Sequence, residues 1–430
     1  MVYKVLIIIY FKSLNKFIDY INNQRDLIRI VRVKTIYKLV YNCNKSLKKH
    51  VYKCKYIIVY ICNLIRNMHL ENYNTIKEIN LSGRYITLNT ILPLIKKLNF
   101  KTSLIGKSFL NKDIYKVELG TGKIKILIWS QMHGNESTGT KALFDLFNFF
   151  ESPLKDSQTR DRILNNCTIT IVPMLNPDGA LVYSRLNAQN IDLNRDAVDL
   201  KAPESRVLKK LLDTIKPDYC FNLHDQRPIF SVGKANLPAT ISFLAPSEDV
   251  ERTVTQGRIE TMKVIVAMNK VISKLIPNQI GRYTDEFYPK ATGDNFQKAG
   301  FNTILIEAGH FNNDYNREQV RMYNFIALLS GIEYVSNKIE VDYIDYFKIP
   351  NNEKKYYEFL FENVELKGEK VKIGVFLEDS LKNNNVVFTK NYIVLTINDK
   401  SNSKHVVSKK LIFSNKDKIV FYLNTDLKNN

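Results

Sequence analysis

The stretch Lys123-Ile-Lys-Ile-Leu-Ile-Trp-Ser130 constrains the fold more than any other in the chain. Between Lys125 and Ser130 every residue is apolar, so the strand it predicts must be covered on both faces. A strand with one face in water would alternate. Similar strands are expected at 167–175 and 218–223, and the end of a fourth at 303–306. Apolar residues recur three and four apart over 137–150, 205–215, 253–275 and 319–335, which predicts helices between and after the strands. In the first of these, Ala142, Leu143, Leu146 and Phe149 carry the apolar face. A helix over 88–98, with Pro93 inside it, and two short strands within 101–119 are expected before them. The architecture these elements imply is α/β: a mixed, mainly parallel sheet with helices on both faces.

The 430 residues allow two or three domains. After about residue 338 the pattern changes. Segments 356–366, 370–376, 386–397, 405–413 and 418–423 alternate with turn signals such as Asn383-Asn384-Asn385 and Asn398-Asp399-Lys400, which predicts a series of strands. The expected division is a catalytic domain over 68–338 and a small all-β domain over 339–430.

Residues 1–67 read differently again. They hold no Gly, Pro or Glu, contain three of the five cysteines (Cys43, Cys54, Cys62), and carry +12 of the net charge of +20. The rest of the chain, at +8, reads as an ordinary solvated surface. The basic balance therefore does not argue for nucleic acid, and none is expected as a partner. The apolar runs at 5–11 and 56–62 fall far short of the ~18–20 residues that span a bilayer, so no integral membrane segment is expected. Three readings of this extension compete: a secretory signal built on Lys4 and 5–11, a basic arm for a membrane surface, and translated upstream sequence with Met68 as the true start. The last is preferred, and the extension is set aside from the fold. Five cysteines make no disulfide framework, so a cytoplasmic location is expected, with secretion left open.

Residues fit for chemistry gather at the strand ends, where open α/β sheets bind ligands. The strand at 123–131 runs into Met132-His133-Gly134-Asn135-Glu136. His and Glu three apart on a strand-to-helix turn can meet on one metal, and Gly134 gives the backbone room. Alone, the pair is equally a surface turn. The strand at 218–223 ends in His224, and a short spacer followed by a distant third ligand is how catalytic zinc sites are built. With six histidines in the chain, two at strand ends are pointed, although His224 by itself reads as a half-buried hydrogen-bonded histidine. Glu307 follows an apolar strand; such a carboxylate is costly unless used or paired. Beside a metal-activated water it could serve as general base and then acid; its structural alternative is a core salt bridge. Between these lie Asn176-Pro177-Asp178-Gly179, Arg185 and Asp192-Leu193-Asn194-Arg195. Arginine beside an amide suits a carboxylate, though each arginine alone reads as a surface ion pair, and Pro177-Asp178-Gly179 as a tight turn.

Taken in order, His133-x-x-Glu136, Asn176-Pro177-Asp178-Gly179, Asp192-x-Asn194-Arg195, His224 and Glu307 resemble the zinc carboxypeptidases of the carboxypeptidase A-like family, over roughly residues 100–335. The resemblance implies one Zn2+ per chain, held by His133, Glu136 and His224, with Asp192 orienting His133. It implies that Asn194 and Arg195 hold the substrate's terminal carboxylate, that Arg185 polarises the scissile carbonyl, and that Glu307 is the catalytic carboxylate. A tyrosine closing over the substrate would be Tyr288, with Tyr283 as the alternative. The residue setting side-chain preference is expected near 292–296. The gap from Glu136 to His224 is shorter than in the digestive members, which implies trimmed loops. The C-terminal segment shows no motif of the transthyretin-like domain found in some members.

The function expected is hydrolysis of C-terminal peptide bonds by a zinc-activated water and a glutamate base. The runner-up is an aspartoacylase- or succinylglutamate desuccinylase-like amidohydrolase acting on N-acyl amino acids, which a closed, β-domain-capped pocket would favour. Either partner is a small substrate, peptide or acylated amino acid, with a free carboxylate. A non-catalytic binding module is disfavoured by the complete ligand set and Glu307.

Overall fold

The computed structural model describes residues 73–425, apart from 153–156, 234–236, 338–339, 409–410 and 414–415. The readings of residues 1–67 and of Met68 lie outside the described residues. In chain order the first part comprises α1 (Leu88–Ile95), β1 (Lys101–Lys107), β2 (Asp113–Leu119), β3 (Ile124–Ser130), α2 (Thr138–Glu151), α3 (Ser157–Asn166), β4 (Cys167–Val172) and α4 (Pro177–Val182). There follow α5 (Pro203–Ile215), β5 (Tyr219–Asp225), β6 (Ser231–Val232), β7 (Ile241–Leu244), α6 (Gln256–Leu275), β8 (Ile280–Arg282), α7 (Thr292–Lys298), β9 (Asn302–Ala308) and α8 (Glu318–Asn337). The last part holds β10 (Asn352–Glu353), β11 (Tyr356–Leu366), β12 (Glu369–Lys382), β13 (Asn385–Thr396), β14 (Asn402–Val407), β15 (Leu411–Phe413) and α9 (Lys416–Thr425).

One eight-stranded sheet runs β1-β2-β4-β3-β5-β9-β7-β8. Its middle, β4-β3-β5-β9, is parallel, and antiparallel pairings join β2 to β4 and β7 to β9. This is the mixed, mainly parallel sheet expected from the apolar strands. In β3, Ile126, Leu127, Ile128 and Trp129 are all fully buried, alternate residues on alternate faces. Leu127 and Trp129 share a core with Val172, Cys220, Phe296 and the Leu208, Leu211 and Leu212 face of α5. On the opposite face, Gly331 of α8 comes against Phe221 and Met268, and Gly139 of α2 against Leu223. Burial of each large apolar side chain contributes about 1.5–3 kcal/mol, which is what holds helices to both faces.

The helix ends follow local chemistry. Pro203 opens α5 at a position where its missing N–H costs nothing. The Thr255 side chain caps α6 by accepting from Arg258 N. Elements without a strong pattern were not legible: α3 carries no apolar stripe, and β7 and β8 are four and three residues long.

The second sheet is β13-β12-β11-β14, with β15 also on β11. One expectation fails here. Residues 418–423 form part of α9 and not a strand: Ile419 and Leu423, four apart, are both buried on the second sheet's core with Phe361 and Phe413. After Lys418 the run Ile-Val-Phe-Tyr-Leu is continuously apolar, and so short an apolar run is consistent with either a strand or a helix. The expected strand at 405–413 is split into β14 and β15. Residues 343–353 lie outside the second sheet: buried Tyr346 accepts from Ala245 N just after β7, and β10 pairs with β6 in a separate two-stranded sheet. No helix among the described residues is long and apolar enough to cross a membrane.

Candidate metal centre

β3 leads through α2 and α3 to β4 on one side, while β5 lies on its other side. Connections therefore part between β3 and β5, and a crevice opens there. His133 and Glu136 follow β3, His224 lies near the end of β5, and Glu307 on β9 stands in direct register with His224. Register partners in neighbouring parallel strands point to the same side, so Glu307 flanks the histidine about 4.8 Å away along the sheet.

The loop after β3 is shaped by close backbone contacts. Gln131 is fully buried with a φ of 50°, which turns the chain sharply out of the strand. Its amide donates to Ile86 O at 2.9 Å and Gly134 O at 2.8 Å, and its carbonyl accepts from Thr140 Oγ1 at 2.8 Å. A Cβ at Gly134 would lie 2.0 Å from the carbonyl carbon of Gly179 and 2.2 Å from Ala180 N. That neighbour comes from Asn176-Pro177-Asp178-Gly179, which opens α4 as a capped helix start: Asn176 accepts from Gly179 N at 2.8 Å and donates to Met132 O at 3.1 Å. Asp178 accepts from Ser108 Oγ and Leu110 N, both at 2.9 Å. The run is a brace under the His133 loop.

His133 Nδ1 lies 2.8 Å from Glu136 Oε1 and 3.1 Å from His224 Nδ1, and His224 Nδ1 lies 2.9 Å from Glu136 Oε2. Among the described residues, these three buried side chains form a group that could hold a metal ion, their ligand atoms all within 4.8 Å of one another. His133 Nε2 reaches Asp192 Oδ1 at 3.0 Å. A carboxylate only accepts, so Nε2 carries the proton and Nδ1 turns a lone pair toward Glu136 and His224. Two imidazole nitrogens and a carboxylate converging in this way suit a zinc-sized cation, and the set of donors is that of an open zinc site. Asp192 itself caps the short turn Leu193–Arg195 by accepting from Asn194 N.

Electrostatics separate the carboxylates. Burial opposes the charge on Glu136, but His133 and His224 outweigh it and hold its carboxyl well below the usual range. Asp192 is likewise held low by His133 and Arg185 against partial burial. Glu307 goes the other way: burial first, then Glu136 and Asp225, push its carboxyl well above the usual range. The surroundings thus drive the two carboxyl groups apart, Glu136 toward its charged form and Glu307 toward its protonated one.

Arg185 donates Nε to Asp192 Oδ2 at 3.0 Å and places Nη1 3.2 Å from Glu136 Oε1. Asn194 lines the cavity, and its Oδ1 accepts from Thr292 N at 3.1 Å, so its acceptor is engaged. Arg195 lies over the Tyr288 ring at 4.9 Å. Tyr288 is an exposed residue beside this arginine, whereas Tyr283 packs edge-on against Phe230 and is pushed up by burial, Glu307 and Glu136. Both tyrosines line the same cavity, of about 570 Å3, as the ligand cluster, Arg185, Asn194, Arg195 and Glu307.

Sequence reasoning missed a second layer. Asp225 donates its backbone N–H to Glu136 Oε2 at 3.0 Å, accepts from Thr138 Oγ1 at 2.8 Å, and pairs with Arg317 at 3.0 Å. Beyond it, Arg84 pairs with Asp379 of β12 at 3.2 Å, Tyr183 donates to the same carboxylate, and Asp379 lines the cavity. Asp225 was findable as the residue after His224. Arg84 and Asp379 lie too far apart in the chain for any local signal.

Fold and site together define an α/β protein with a candidate metal centre at the carboxyl ends of its central strands. Residues 97–211 match the family model described as zinc carboxypeptidase. This segment includes His133, Glu136, Arg185, Asp192, Asn194 and Arg195; His224 and Glu307 lie beyond it. Carboxypeptidase SOL1 of Arabidopsis thaliana is 33% identical over 183 residues, 37% of each chain. Carboxypeptidase Z of Mus musculus is 32% identical over 127 residues, 25% of this chain and 19% of the relative. Carboxypeptidase 2 of Trichophyton rubrum is 29% identical over 113 residues, 26% of this chain and 20% of the relative. The matches to these three relatives span between 19% and 37% of their length. Among solved structures, a metallo-carboxypeptidase from Burkholderia cenocepacia is similar with a TM-score of 0.47 and 19% identity, covering 58% of this chain and 68% of that one.

Proposed function

We propose that the chain is a zinc-dependent metallocarboxypeptidase that hydrolyses the C-terminal peptide bond of substrates with a free carboxylate. The observation carrying this reading is the convergence of His133, Glu136 and His224 with Glu307 in register beside His224. One zinc ion per chain, held by those three residues, would supply Lewis acidity and a water of lowered pKa. Glu307, with its raised affinity for a proton, takes a proton from the attacking water and delivers it to the leaving amine. Arg185 offers a guanidinium to the scissile carbonyl oxygen as negative charge develops on it. Asn194 and Arg195 fasten the terminal carboxylate: the Asn194 acceptor is already engaged by Thr292, which leaves its donors for the substrate. Tyr288, against Arg195, borders this clamp, and Asp192 orients both His133 and Arg185.

The N-acyl amino acid hydrolase keeps a specific observation in its favour. Asp379 of the C-terminal sheet lines the cavity, so that sheet narrows it. A mass-spectrometric panel of free-acid peptides and N-acyl amino acids, run on the zinc-loaded protein, separates the two. Stepwise loss of C-terminal residues supports the peptidase; cleavage confined to N-acyl amino acids rejects it.

A further inference from the structure

The strand row two residues below the His224 and Glu307 row forms the floor of the cavity. In register across the sheet it reads Trp129, Asn222, Leu305 and Leu244. By strand rise this row lies about 6.6 Å beneath His224 and Glu307, on the same face. Asn222, Leu305 and Leu244 line the cavity, with Pro246, Gly293 and Asp294 beside them. Leu305, Leu244 and Pro246 are apolar. Asn222 is 1% exposed, and neither its carbonyl oxygen nor its amide nitrogen has a hydrogen-bond partner in the structure.

Such an amide is expensive to bury unsatisfied. Its register neighbours do not satisfy it: Trp129 Nε1 is itself buried without a partner, and Leu305 is apolar. Asp294 is the other polar group near the floor, but its carboxylate already accepts from Tyr288 N at the start of α7. Asn135 Oδ1, His224 Nε2 and Asp225 Oδ1 are also unpaired in the cavity wall, but in the cavity-lining part of the row beneath His224 and Glu307 the unspent capacity is that of the Asn222 carboxamide, its N–H donors and its acceptor side by side.

We propose that Asn222 determines which terminal residue the enzyme accepts, and that the preferred residue ends in a carboxamide, glutamine or asparagine. This rests on the carboxypeptidase reading. A carboxamide presents the complementary donor and acceptor and is neutral. A terminal glutamate would set a carboxylate at the floor beside Asp294, where the lining provides no arginine in the Asn222 row. A terminal leucine fills the same space but leaves both Asn222 groups unpaired, and a site built to hydrogen-bond rejects the analogue that cannot.

The test is kcat/KM of the zinc-loaded protein on one tripeptide series ending in Gln, Asn, Leu, Glu or Lys, each with its C-terminal amide as control. Wild type is expected to favour Gln or Asn over Leu by about 10- to 100-fold. Asn222→Leu should reverse that ratio while still hydrolysing the Leu peptide, and Asn222→Asp, of the same shape, should move preference toward Lys. A loss of overall stability alone would lower every substrate together and leave the ratios unchanged. Equal rates on Gln and Leu in wild type, a preference for Leu, or an unchanged ratio in Asn222→Leu overturns the proposal. Should Asn222→Leu not fold, the wild-type ratio and Asn222→Asp still decide. Hydrolysis of no free-acid peptide overturns the carboxypeptidase reading and this proposal with it, whereas hydrolysis without side-chain preference overturns this proposal alone.

Discussion

Replacing Gly134 by alanine tests whether backbone packing builds the metal cluster. The added Cβ would meet the Gly179 carbonyl carbon at 2.0 Å, Ala180 N at 2.2 Å and Gly179 O at 2.5 Å. All three are main-chain atoms of the capped α4 start, so no side chain can swing aside. Ordinary contact begins at 3.4 Å, so the loop must retreat by about 1.4 Å. Overpacking of this kind costs about 1–3 kcal/mol in stability. The functional cost is larger, because His133 and Glu136 flank Gly134 and their ligand atoms now lie 2.8 Å apart. A displacement of about 1 Å in a catalytic group costs on the order of 100-fold in rate. The assay is paired: zinc affinity by competition with a chromogenic chelator, and Tm by calorimetry. The expectation is weaker zinc binding and a lower Tm together. A Gly134→Ala protein with wild-type affinity and wild-type Tm would refute the argument that this close approach sets the ligand geometry.

Four further outcomes are expected. Asp192→Ala releases both His133 and Arg185 and should weaken zinc binding by about 10- to 100-fold while the fold persists, as read by the same competition assay. His224→Ala should abolish tight zinc binding; an active, chelator-resistant His224→Ala protein would sink the ligand assignment. Asp145→Ala removes the carboxylate that holds fully buried Arg321 at 2.5 and 2.7 Å, leaving it the more distant Glu318 and two backbone carbonyls, and should cost about 3 kcal/mol in denaturant titration with zinc held constant. His310 is kept neutral by burial and then by Arg317, its pKa lowered to about 4 from 6.5. The unfolded chain therefore binds that proton first: its contribution is intact above pH 6.5 and declines as pH falls toward 4, by roughly 3 kcal/mol. His310→Gln should flatten the pH dependence of Tm across that window, and an unchanged slope would count against it.

The central strands were legible because apolar residues on both faces leave one interpretation. Ile126 to Trp129 needs a covered sheet whatever surrounds it. His133, Glu136, His224 and Glu307 were legible for a related reason: polar residues ending apolar strands stand out. What stayed hidden is what depends on pairing across the fold. The sequence does not say that Glu307 lies opposite His224, or that Asn222 lies a row beneath them; register does. The Asn176-Pro177-Asp178-Gly179 run could be read as a turn, but its task of bracing Gly134 needs both backbones in view. The final helix was misread because a short, continuously apolar run fits either period, and only the core reached by Ile419 and Leu423 decides between them.

The most direct test of the central claim compares one peptide in two forms, free acid and C-terminal amide, with zinc-loaded wild type and Glu307→Gln. Release of the last residue is read by mass spectrometry, and bound zinc is measured on the same samples. The account predicts release from the free acid alone, full zinc occupancy in both proteins, and a loss of about 100- to 10,000-fold in rate for Glu307→Gln. Equal cleavage of acid and amide, or Glu307→Gln turning over at the wild-type rate, would contradict it.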